Sequence, residues 1–210
     1  TAVDAGANIG AHAVAMGQMV GPTGRVHAAE PLRRNFMILC TNICLNGLDN
    51  VLAHQAAFAA KPGAMTLEEV DFTKPGNFGG VSLAGLSDTK IGRTGATDAV
   101  ACITVDGLKL AQCRLIKIDV EGMEPDVLDG AAATIKRFKP VLYLENDRRK
   151  NSPALLKRLL DLDYRCYWHM AILFNAANFF ANPLNAFMSE KKGLIRARNV
   201  LALPPGEKLP

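Results

Sequence analysis

Two stretches of the chain gather residue types that do chemistry. The first, Val3-Asp4-Ala5-Gly6-Ala7-Asn8-Ile9-Gly10, closes an apolar run on an acid and follows it with glycines that let backbone approach a ligand closely. The second, Leu115-Ile116-Lys117-Ile118-Asp119-Val120-Glu121-Gly122-Met123-Glu124, also ends an apolar run in carboxylates. Between them Glu30 follows Gly10 by twenty residues, at the end of a second apolar run over 25–29. A carboxylate there accepts both hydroxyls of a ribose. As strand ends of one sheet, Asp4, Glu30 and Asp119 ring one crevice, with the ligand above them.

The turn narrows the ligand. A dinucleotide fingerprint wants glycine at 6, 8 and 11, but Asn8 and Ala11 stand at two of these positions, so no pyrophosphate cradle is visible. The spacing Asp-x-Gly-x-Asn-x-Gly suits a ligand with a compact charged amino-acid end: Asp4 meets a cation and the turn amides meet a carboxylate. S-adenosylmethionine has both groups. The expected cofactor contacts are Asp4, Gly6, Ala7, Asn8, Gly10, Glu30, Pro31, Ala57 and Asp119, with Ala57 leaving room for adenine at the close of a third strand beside Glu30.

A sulfonium already makes its methyl group electrophilic, so the protein's task is to place an acceptor in line and take its proton. Strand-end candidates for that base are Asp119, Glu121, Glu145 and His169. Two have a plainer reading, Glu145 as partner of Arg148 or Arg149 and His169 as a half-buried histidine among aromatics, whereas Asp119 and Glu121 are expected to face the ligand. Glu124 reads as an N-cap ahead of Pro125, and Asp126 as a dipole partner. Asp119, Glu121 and Glu124 could ligate magnesium, but carboxylates at a helix start usually pair with amides or a lysine such as Lys117, so no metal is expected.

The elements that must position these groups alternate. Strands are expected over 51–58, 65–72, 100–105, 115–119, 141–145, 164–169 and 199–203. Helices are expected over 11–19, 35–45, 125–137 and 153–162, with Pro31 starting the second. Residues 73–98, rich in Gly, Ser and Thr, read as a substrate loop, and 170–197 as a late insertion.

The motifs above, with Ala29-Glu30-Pro31 and Asn77-Phe78-Gly79-Gly80-Val81-Ser82-Leu83, resemble the FkbM family of S-adenosylmethionine-dependent methyltransferases. The likeness spans Val3 to Pro140, with a weaker echo over 199–204. It implies an α/β, doubly wound Rossmann-like class I methyltransferase sheet of strand order 3-2-1-4-5-7-6, mostly parallel with an antiparallel last strand. It also implies O-methylation of a sugar, glycolipid or secondary metabolite hydroxyl. Two alternatives stay open: an NAD-dependent oxidoreductase on a related sheet, and a catalytically silent nucleoside-binding module.

With 210 residues, 49% of them hydrophobic, one core and a single domain over 1–210 are expected. The chain starts at Thr1 inside a strand, so upstream residues are expected to be missing. A charge of +4, from 24 basic and 20 acidic residues, builds no nucleic-acid stripe, and Arg148-Arg149-Lys150 and 191–198 read as solvated charge. The partner expected is a small-molecule or glycan acceptor, with oligomeric state open. The apolar stretch 169–187 is interrupted by Asn175, Asn178, Asn182 and Pro183, so no membrane insertion is expected. There is no signal-peptide pattern, and five cysteines without a CxxC pair fit reduced thiols and a cytoplasmic location.

Overall fold

Along the chain the elements run β1 (Ala2–Ala5), α1 (Ala11–Met19), β2 (Val26–Ala29), α2 (Arg33–Leu45), β3 (Val51–His54), β4 (Ala56–Phe58), β5 (Gly63–Val70) and β6 (Arg93–Ile103). They continue with β7 (Leu115–Ile118), α3 (Glu124–Gly130), α4 (Ala132–Phe138), β8 (Val141–Glu145), α5 (Ser152–Asp161), β9 (Arg165–Ile172), β10 (Met188–Ser189), β11 (Gly193–Leu194) and β12 (Arg196–Leu203). The computed structural model describes residues 1–73, 92–175, 177–178, 181, 183, 188–189, 193–194 and 196–209. They fall into two units, Thr1–Leu142 and Tyr143–Pro210.

In the first unit β1 lies between β2 and β7, parallel to both, with Val3 opposite His27 and Ile116. All four residues of β1 are buried, as in a strand covered on both faces. Ala2, Ala28 and Val51 pack with Ala13 of α1 and Leu39 and Ile43 of α2. In the second unit β12 runs antiparallel to β9, with Val200 opposite Trp168, and Leu155 and Leu159 of α5 are buried. The hydrogen-bond order of the sheet is β3-β2-β1-β7-β8-β12-β9. Counted along the chain this is 3-2-1-4-5-7-6, a mostly parallel α/β sheet with an antiparallel end.

Several expected boundaries change. The single strand over 51–58 is two, β3 and β4, because the chain leaves the main sheet at Gln55. β4 joins a separate three-stranded sheet of order β4-β6-β5. The strand expected over 100–105 begins instead at Arg93, so residues 93–98 of the expected substrate loop are strand, with Met65 opposite Val100. Residues 74–91 of that loop, including Asn77-Phe78-Gly79-Gly80, lie outside the described residues, as does much of 170–197. The helix over 125–137 breaks at Ala131 (φ −111°), just after Gly130, where a Cβ would lie 2.0 Å from the carbonyl oxygen of Ala59. α2 starts at Arg33 rather than at Pro31, with Leu32 as its N-cap.

On β2 and β3, His27 Nδ1 lies 3.1 Å from His54 Nε2, the rings stacked at 12°. Burial pulls both imidazoles below their ordinary 6.5, and the His54 charge presses His27 further. The unfolded chain therefore binds more protons below that value, so stability is present above pH 6.5 and lost as pH falls through the window beneath it. Urea midpoints should decline from about pH 7.5 to about pH 5.5, and His27→Gln/His54→Gln should flatten that slope. An unchanged slope in the double variant would assign the acid sensitivity elsewhere.

Candidate active site

Backbone hydrogen bonds knit the ends of four strands, β1, β2, β3 and β7, into one rim. The Ala5 carbonyl accepts the Asp119 N–H at 3.0 Å, and the Ala29 carbonyl accepts those of Gly6 (3.1 Å) and Ala7 (2.9 Å). The His54 carbonyl accepts the Glu30 N–H at 3.1 Å. Gly6 is in the left-handed region (φ +78°), and a Cβ there would sit 1.8 Å from the Asp119 carbonyl oxygen, so only hydrogen fits between the two turns. Gly10 is the N-cap of α1.

The rim borders an open crevice lined among others by Gly6, Asn8, Glu30, Pro31, Asn35, Ala57, Phe58, Asp119 and Glu121. Asp4, Ala7 and Gly10 are outside this lining. Ala57 reaches it from β4, where it lies opposite Cys102 of β6, rather than from the third strand of the main sheet.

Glu30 is 5% exposed. Its Oε2 accepts the Asn8 N–H and its Oε1 the Leu32 N–H, both at 2.9 Å, and the Asn35 side chain also bonds it. Burial pushes its carboxyl above the usual range, and the two amides pull it back. A carboxylate offers about four lone-pair positions, so acceptor capacity remains for a pair of hydroxyl donors. Asn35, read from sequence as part of a packing helix, is thus a site residue. Its signal is a polar residue, buried in the first turn of α2.

Asp4 is fully buried and its Oδ1 meets Lys117 Nζ at 3.0 Å; its Oδ2 has no hydrogen-bond partner among the described residues. Lys117 Nζ also reaches the Gly6 carbonyl oxygen at 3.1 Å and Asp119 Oδ2 at 3.5 Å. Burial alone would pull the Lys117 ammonium down, but Asp4 and Asp119 more than reverse this, leaving it raised. Asp4 is itself pushed up by burial, with Lys117 opposing. Of these two carboxylates, Asp119 is the one that opens on the crevice, its side chain 40% exposed. The cation expected for Asp4 is therefore supplied by the protein.

The turn amides expected to meet a ligand carboxylate are largely engaged: Gly6 and Ala7 with Ala29, Asn8 with Glu30, and Gly10 with Ala7. Glu121 has φ +54° and Gly122 φ +109°, bending the chain sharply after β7. Glu124 Oε1 accepts the Gly122 N–H at 2.9 Å, and the N-cap of α3 is Met123, not Glu124, because the helix already includes Glu124. Glu145 and His169 belong to the second unit. There Glu145 ends β8, and His169 Nδ1 lies 2.7 Å from the Tyr143 hydroxyl.

The methyltransferase FkbM domain model matches residues 4–166, a span that holds every lining residue named above. The chain belongs to the FkbM methyltransferase family. Three solved structures share its fold. A methyltransferase FkbM from Methylobacillus flagellatus KT has 18% identity and a TM-score of 0.59, over 96% of this chain and 43% of that one. A precorrin-6y C5,15-methyltransferase from Geobacter metallireducens has 12% identity and a TM-score of 0.55, over 97% and 79%. A SAM-dependent O-methyltransferase from Thermotoga maritima has 14% identity and a TM-score of 0.53, over 100% and 60%. This FkbM chain thus spans less than half the length of the Methylobacillus protein. No curated protein sequence matched it.

Proposed function

We propose that this FkbM chain is an S-adenosylmethionine-dependent O-methyltransferase acting on a hydroxyl of a sugar, glycolipid or secondary metabolite. The observation that carries the cofactor assignment is Glu30, a buried carboxylate fixed by two backbone amides at the crevice with capacity left for a ribose diol. Ala57 and Phe58 supply a small, apolar wall for adenine beside it. Asp119, rather than Asp4, is the carboxylate placed to meet the cationic amino-acid end. The engaged turn amides leave little for a pyrophosphate, which disfavours the NAD-dependent alternative.

When bound, the cofactor supplies a methyl group on a positively charged sulfur. The protein's part is to hold donor and acceptor in line and to accept the acceptor's proton, for which Glu121 stands at the crevice while Asp119 is taken up by the cofactor's cationic end. The acceptor classes rest on the family to which the chain belongs.

Calorimetric titration with S-adenosylhomocysteine and with NAD tests the reading. Saturable binding of the first alone is expected, weakened in Glu30→Ala by about 1–3 kcal/mol, or roughly tenfold to a hundredfold. Binding of NAD alone, or full affinity in a folded Glu30→Ala variant, would overturn it.

A further inference from the structure

The two units differ in charge. Residues 143–210 hold eleven Lys and Arg against six Asp and Glu, whereas residues 1–142 hold thirteen against fourteen. In the basic unit, β9 ends the sheet order. Trp168, Met170 and Ile172 alternate along it and so share one face, at 52%, 44% and 51% exposure. Leu173, also exposed, follows directly.

The antiparallel register sets Met170 opposite Arg198 and Ile172 opposite Arg196, so both guanidinium groups rise from that same face. The result is an apolar stripe of an indole and two aliphatic side chains, bordered by two cations. Such a pairing fits a surface with an apolar boundary beneath a layer of negative charge, which describes anionic lipid headgroups over acyl chains. A nucleic acid would use the arginines and the indole but has no use for Met170, Ile172 and Leu173. A second copy docked by a two-fold axis would set an arginine-bordered stripe against another one.

We infer that this face of the second unit docks on an anionic phospholipid surface, with Trp168, Met170 and Ile172 entering the headgroup boundary and Arg196 and Arg198 meeting lipid phosphates. The attachment is peripheral: no helix among the described residues is long and apolar enough to cross a membrane. It stands apart from the cofactor reading, since none of these residues lines the crevice.

Trp168 is the chain's one tryptophan, so its fluorescence reports on this face alone. The purified chain is titrated with vesicles of phosphatidylcholine, with and without phosphatidylglycerol, and separately with single-stranded RNA. A blue shift of the emission and protection from acrylamide are expected with phosphatidylglycerol vesicles, weakening as salt rises. Arg196→Glu/Arg198→Glu should lower vesicle affinity about tenfold or more, and Met170→Ser/Ile172→Ser should diminish the blue shift. Circular dichroism confirms that both variants fold. No shift with phosphatidylglycerol vesicles, a shift with RNA only, or a lipid-independent shift that tracks dimer formation would each overturn the assignment.

Discussion

Gly6→Ala is expected to destabilise the fold by about 4 kcal/mol or more, placing it among the rare severe single substitutions. Two costs combine. A residue with a side chain pays about 1–2 kcal/mol to hold the left-handed conformation that Gly6 adopts at φ +78°. The added Cβ would also sit 1.8 Å from the carbonyl oxygen of Asp119 and 2.8 Å from its carbonyl carbon, and that backbone is itself tied to Ala5. No flexible side chain is there to move aside, so β1 and β7 would have to separate at the crevice. Gly21→Ala is the control: its φ is +70°, but nothing lies within 4 Å of a Cβ, so only the conformational cost remains. Urea unfolding of both variants checks this, and equal midpoints would mean that the close approach of the two turns contributes nothing. Because domains are stable by only about 5–15 kcal/mol, Gly6→Ala should also be the variant with the lowest soluble yield.

What sequence reasoning reached and what it missed divide along physical lines. β1, β2 and β7 are buried runs that end in acids, so Asp4, Glu30 and Asp119 were legible as strand-end residues. α1 and β8 followed from local pattern in the same way, whereas the strand order came from the family resemblance. The departure of β4 from the main sheet was not legible, because the polar pair His54-Gln55 within Val51 to Phe58 fits one half-exposed strand as well as a change of partner. The early start of β6 was hidden because Arg93 to Ala99 lacks an alternating pattern and most of it is exposed. The role of Lys117 was out of reach for a different reason. It faces Asp4 only because β1 and β7 are adjacent and in a register that pairs those two residues, and pairing across 113 residues of chain leaves no local trace.

That register makes Lys117→Met the second large effect. The substitution leaves Asp4 buried without its cation, which costs about 3–5 kcal/mol when a buried pair is broken from one side. Removing both charges costs less, so Asp4→Asn/Lys117→Met should recover most of the loss even though the single variant does not. The pH dependence separates the two states. In the native protein the raised Lys117 value gives a stabilisation fully present below pH 10.5 and lost as pH rises beyond it through the folded value. In Lys117→Met the main opposing cation is gone, and only the weaker pull of His12 opposes burial of Asp4. Its cost is then absent below the ordinary 3.8 and grows as pH rises through the higher folded value, so the single variant should lie nearest to wild type in acid. The double variant should be flat in both windows. If Lys117→Met loses less than about 1 kcal/mol at neutral pH, Asp4 does not carry a buried charge in the native fold. Should the loss be as expected, the trio carries one negative charge more than it balances, and that charge is presented at Asp119, on the crevice side. On the proposed cofactor reading, the part of this buried pair is at the rim: it keeps Asp4 off the crevice and leaves Asp119 facing it, where a ligand's cation would arrive.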